Sequence, residues 1–77
     1  IMKLDNAIAL GKTGAWKEAQ VRIRPGNLAQ WFVMLFDHQS KSFVFADNDD
    51  TPIVTEDLNT LIPLIKSLGL SDFTVFL

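Results

Sequence analysis

Apolar and polar positions change period several times along this chain, and each change marks an element. Leu4 and Ile8 lie four residues apart on one helical face, Asp5-Asn6 offer a capping side chain, and Gly11 can take the left-handed turn that ends a helix. A helix of one or two turns is predicted over residues 5–11, broken by Thr13-Gly14. From Ala15 to Arg24 two periods compete. Trp16, Ala19 and Ile23 fit a helical stripe, whereas Ala19, Val21 and Ile23 alternate with Glu18, Gln20, Arg22 and Arg24. Strand is favoured, because Arg24-Pro25-Gly26-Asn27 sets Pro and Gly at the central positions of a type II turn that can join antiparallel strands.

Gln30 to Phe36 is apolar at both parities and rich in aromatic residues, which predicts a central strand with two apolar faces. Asp37 to Lys41 is a polar loop of hairpin length, and Ser42 to Ala46 is the returning strand. After the acidic turn Asp47 to Pro52, Thr55, Glu56 and Asp57 read as a helix start with carboxylates at the positive end of the dipole. Leu58, Leu61, Ile62, Ile65 and Leu68 then recur at helical spacing, and Pro63 inside that stripe is expected to kink the helix. Gly69 supplies the helix end, and Phe73 to Leu77 form a last strand.

The fold class that follows is α+β, a small single domain over residues 1–77 with the order α-β-β-β-α-β. An antiparallel three-stranded meander and a C-terminal strand make the sheet, with one main helix packed on it. A right-handed crossover would set the last strand beside the first and parallel to the third, giving the spatial order 3-2-1-4. Trp31, Val33 and Leu35 then share one face of the central strand, and Phe32, Met34 and Phe36 share the other. The helices suffice for one face only. A homodimer joined through the sheet is therefore expected, since an isologous pair is the commonest oligomer.

Composition narrows the classes. The 77 residues are 48% apolar and include no cysteine, which excludes a disulfide framework and a thiolate zinc site. No run of about 18 apolar residues is present to span a bilayer, and the low net charge of −2 argues against disorder. Met2 is read as the natural start with Ile1 an added residue, no export signal is expected, and a cysteine-free chain suits the cytoplasm. A folded surface of roughly 4,700 Å² is expected, a size at which oligomerisation often supplements a small core.

Charge adds one candidate surface. Residues 1–30 carry five basic against two acidic side chains, and residues 31–77 two basic against seven acidic. In an extended strand Arg22 and Arg24 share a face with Trp16, Glu18 and Gln20, and Trp and Arg are the types enriched at binding hot spots. Trp16, Arg22 and Arg24 are therefore the expected partner-binding residues, with Trp31 assigned to the core. The same surface could stack and hold single-stranded nucleic acid, although seven downstream acids oppose a polyanion. The acidic loop Asp47, Asp49 and Asp50 with Glu56 and Asp57 could hold a hard cation. Its spacing is not that of a calcium-binding EF-hand, because Pro52 stands where the turn glycine belongs and Leu58 where the bidentate Glu belongs.

His38 near Ser40 and Ser42 shows no arrangement specific to a nucleophile and its base. Gly11-Lys12-Thr13-Gly14 lacks the first glycine of a phosphate loop, since Asn6 occupies that position. No catalytic, cofactor or metal residue is assigned. The expected function is a non-catalytic protein-binding or regulatory module acting as a homodimer. The alternatives are a single-stranded nucleic-acid binder using the basic strand face, and a small metal-dependent or hydrolytic enzyme using the acidic loop.

Overall fold

The computed structural model describes residues 1–77 and shows an α+β fold with a single mixed sheet. The elements are β1 (Met2–Lys3), α1 (Leu4–Lys12), β2 (Trp16–Arg24), β3 (Asn27–Asp37), β4 (Ser42–Ala46), β5 (Val54–Thr55), α2 (Leu61–Ser67) and β6 (Thr74–Phe76), with a 3₁₀ turn at Leu58–Thr60 before α2. Spatial order is β1-β4-β3-β2-β6, with β5 also pairing β3. The four expected strands thus lie in the order 3-2-1-4, β2, β3 and β4 as an antiparallel meander and β6 parallel to β2.

The ambiguous segment forms a strand. Pro25-Gly26 sits between the paired residues Arg24 and Asn27, and Gly26 has φ +83°, the positive value a type II turn demands at its third residue. β3 starts at Asn27, three residues earlier than its apolar run, because Asn27 pairs with Arg24 across the turn; the ladder with β2 then shifts register and resumes at Trp31 opposite Ile23. Two short strands carry no period of their own: β1 pairs parallel to β4, and β5 pairs antiparallel to β3.

Five expectations about the helices change. The first helix begins at Leu4, and its opening turn is capped from a distance, the Asp5 N–H donating to Asn48 Oδ1 at 3.0 Å. Gly11 lies inside that helix, which ends at Thr13 and Gly14. α1 has nine residues and α2 only seven, so the expected main helix is the shorter one. Pro63 causes no kink. It occupies the first turn of α2, where its missing N–H leaves no hydrogen bond unmade, and the helical stripe is divided into a 3₁₀ turn followed by α2. Asp57, rather than Thr55, caps that turn by accepting from the Asn59 N–H at 2.9 Å.

Both helices pack on one face of the sheet. Ala7 from α1, Leu61 and Ile65 from α2, and Leu68 just beyond it meet Trp16, Ala19, Val21, Val33, Leu35 and Phe45 in one core. Only 12 of 77 residues are fully buried, so this core has little redundancy. The folded surface of 4705 Å² is that expected for an isolated chain of this mass. No helix is long and apolar enough to cross a membrane.

The tightest approach in the core is between backbones. A Cβ on Gly11 would fall on the Leu68 carbonyl, and one on Gly69 would sit 2.8 Å from the Gly11 oxygen. Replacing a helical glycine by alanine ordinarily stabilises by about 1 kcal/mol. Here Gly11→Ala should instead cost about 2 kcal/mol or more, since backbone must move to admit the methyl group. Urea unfolding of the two proteins measures the difference, and a stabilised variant would contradict the packing of α1 on the end of α2.

Candidate binding surface

The face of the sheet away from the helices carries three rows of side chains set by the strand register. Val54, Phe32, Arg22 and Phe76 form one row across β5, β3, β2 and β6. Val44, Met34, Gln20 and Thr74 form the next, and Ser42, Phe36 and Glu18 the third. No helix covers them. Phe32, Met34, Phe36 and Val44 are each half-buried, and Phe76 and Val54 are exposed, whereas Val33 and Leu35 on the other face of β3 are fully buried.

Beside this apolar strip runs a polar one along β2. Gln20 Nε2 donates to Glu18 Oε1 at 3.3 Å, and Gln20 Oε1 accepts from Arg22 Nε at 3.2 Å and Nη2 at 2.6 Å. The Arg22 guanidinium lies 4.4 Å from the centre of the Phe76 ring, a cation–π contact that flattens it on the sheet. Arg24, at the turn end of β2, donates from Nη1 to Gln30 Oε1 at 2.6 Å. A hollow of about 350 Å³ opens between Arg22, Ile23, Pro25, Phe32, Phe76 and Leu77.

Of the three expected partner-binding residues, Arg22 and Arg24 are exposed and Trp16 is not. Trp16 is a core residue, 5% exposed, with Nε1–H donating to the Ala7 carbonyl at 2.9 Å and its ring edge-on to Phe43 at 5.8 Å. The reason is a bulge. Trp16 pairs with Asp37 and Glu18 with Phe36, so Lys17 is an extra residue in β2 and the alternation reverses there. Strict alternation would place Trp16 with Arg22; the bulge moves it to the face of Ala19 and Val21. Trp31 packs against the core, paired with Ile23. Phe76, Val44 and Val54 join the open face only through strand order and register, which no local pattern encodes.

The other candidate chemistry is occupied in local structure. Asp47 Oδ1 accepts from the N–H groups of Asp49 and Thr51, and Asp49 Oδ1 accepts from the Thr51 N–H, so the acidic loop is turned upon its own backbone. No three acidic or histidine side chains converge as a metal site. His38 Nε2 lies 2.9 Å from the Gly14 carbonyl, which requires the ring to donate there. Gly11 and Lys12 of the apparent phosphate motif are helical, leaving no loop to cradle an anion. The chain matches no protein-family model, no curated protein and no solved structure.

Two outcomes follow. In a Trp31→Phe variant, the remaining Trp16 should fluoresce as a buried indole and resist acrylamide quenching; ready quenching would put Trp16 back on the surface. In the acidic loop, the hydrogen bonding that Asp49 shares with the Asp47 side chain, and then the hydrogen bonds it accepts from Thr51, hold its carboxyl below the usual 3.8. A depressed folded value contributes stability above the unfolded value and loses it as pH falls through the folded one. The loop should therefore keep its order at pH 4 and loosen only below about 3.8, followed by carboxyl and amide shifts in an NMR titration. An Asp49 midpoint above 3.8 would contradict these contacts.

Proposed function

We propose that this chain is a small non-catalytic protein-binding module that acts as a homodimer, with the uncovered sheet face as its working surface. The observation that carries the proposal is the contiguous strip of Phe32, Met34, Phe36, Val44 and Val54 on a face over which the chain places no element. A monomer presenting such a strip in water forgoes burial worth about 25 cal/mol per Å² of apolar surface, the drive for covering it with another chain. A stable interface takes about 800 Å² from each partner. That is about a sixth of the 4705 Å² surface, and one broad face of a two-layer domain is of that order.

A binding role also accords with where the reactive groups lie, His38 on a backbone carbonyl and the loop carboxylates on loop amides. The absence of cysteine suits a cytoplasmic protein. A second reading, single-stranded nucleic acid on the same face, is favoured by one feature, the Arg22 guanidinium over the Phe76 ring beside half-buried Phe32, with the hollow they share. Against it, Arg22 already engages Gln20 and Glu18 stands in the same strip.

Light scattering on a sizing column should give a mass near twice 8.6 kDa at tens of micromolar chain. Phe36→Asp should return it to 8.6 kDa with the far-ultraviolet spectrum unchanged. A monomeric wild-type protein whose labelled oligonucleotide complex forms at about 20 mM salt and dissolves as salt rises would transfer the face to the nucleic-acid reading.

A further inference from the structure

The open face is self-complementary in charge, and this specifies how two copies would meet. Gln20 and Met34 are paired across β2 and β3, and the row they share with Val44 and Thr74 crosses the middle of the face. On one side of it lie Arg22 and Phe32, and on the other Glu18 and Phe36. Glu18 and Arg22 are four residues apart on one strand, about 13 Å, too far to pair with each other. Each hydrogen-bonds only to the neutral Gln20 between them, Arg22 also lying over the Phe76 ring, and the single ion pair of the protein is elsewhere, between Lys3 and Asp50. Three of the five N–H donors of Arg22, and Oε2 of Glu18, have no protein partner.

We infer that a second copy of this chain covers the face about a two-fold axis lying along the Val44–Met34–Gln20–Thr74 row, so that Glu18 of each protomer meets Arg22 of its partner. This rests on the homodimer reading above. A rotation about that row runs each β2 antiparallel to its counterpart and exchanges positions 18 and 22 while bringing 32 over 36. Both ion pairs and both aromatic contacts form at once, as an isologous interface requires. Other registers bring an acid over an apolar ring or leave both charges unmatched under the partner. Facing sheets cross at about 30°. At the roughly 7 Å separating Glu18 or Arg22 from the axis, that rotation displaces them by about 3.5 Å, within the reach of these side chains.

The test uses charge reversal and mixing, read by sedimentation equilibrium with folding checked by circular dichroism. Glu18→Arg sets arginine against arginine twice, and Arg22→Glu sets glutamate against glutamate twice. Each alone should weaken the dimer by about tenfold or more, because like charges opposed across an interface repel strongly. An equimolar mixture of the two should re-form dimers, since every pair in the mixed species is again opposite in sign. Glu18→Gln, the mildest change, should weaken the wild-type dimer and remove most of its salt dependence.

Single variants that dimerise as well as wild type, or a mixture that stays monomeric, would overturn this axis. If Phe36→Asp still separates the chains in that case, the face remains the interface and only the arrangement falls. A wild-type protein that is monomeric at every concentration would overturn both.

Discussion

The register between β2 and β3 is the constraint from which the rest of the structure follows. Val21 opposite Val33 and Ala19 opposite Leu35 put the buried residues of both strands on one face, and the same pairing puts Gln20 with Met34 and Arg22 with Phe32 on the other. Because side chains alternate with period two, a slip of one residue would exchange the two faces. β4 and β5 are then laid on β3, and β6 on β2, so each later strand inherits the division. The register shifts twice, beside the turn at Ile23–Arg24 and at the Lys17 bulge, and the bulge turns Trp16 inward to reach the Ala7 carbonyl on α1.

With one face assigned to the core, the remaining chain suffices for a single layer of cover. α1 and the end of α2 meet backbone to backbone at Gly11 and Leu68, which draws both helices down over the same face. Connections are stabilised by side chains acting on backbone: Asn48 caps α1 across 43 residues of sequence, Asp57 caps the 3₁₀ turn, and Asp47 closes its own loop. Polar groups in the loops thus serve the fold. On the open face they do not, because Glu18, Gln20 and Arg22 bond one another without stabilising any turn or terminus. That contrast separates the open face, whose polar side chains bond one another, from the acidic loop, whose carboxylates hold its own backbone.

The open face joins two chemistries that neither solvent nor the protein's own core satisfies well. Its aromatic and aliphatic strip favours removal from water, while its charged ends favour partners of opposite sign held at a fixed distance. A surface of this kind discriminates between partners more sharply than an apolar patch, because a wrong register leaves a charge desolvated.

Much of this protein was legible in its sequence. Alternation in Ala19–Arg24, the Pro25-Gly26 turn, the doubly apolar run from Gln30 to Phe36 and the helical spacing around Leu61–Leu68 specified the elements, because each rests on interactions within a few residues. The pairing of Arg22 with Glu18 and Gln20 on one face, and of Phe32, Met34 and Phe36 on one face, was equally legible, since a strand's period determines it. What tertiary structure decided was everything that depends on a residue distant in sequence. The bulge that buries Trp16 exists because Ala7 and Phe43 offer its indole a carbonyl and a ring. The strands at Met2–Lys3 and Val54–Thr55 exist because β4 and β3 present free edges. Phe76 reaches Arg22 only because β6 settles beside β2. Local pattern fixes which side chains share a face, and only packing determines which face is covered and which is left open.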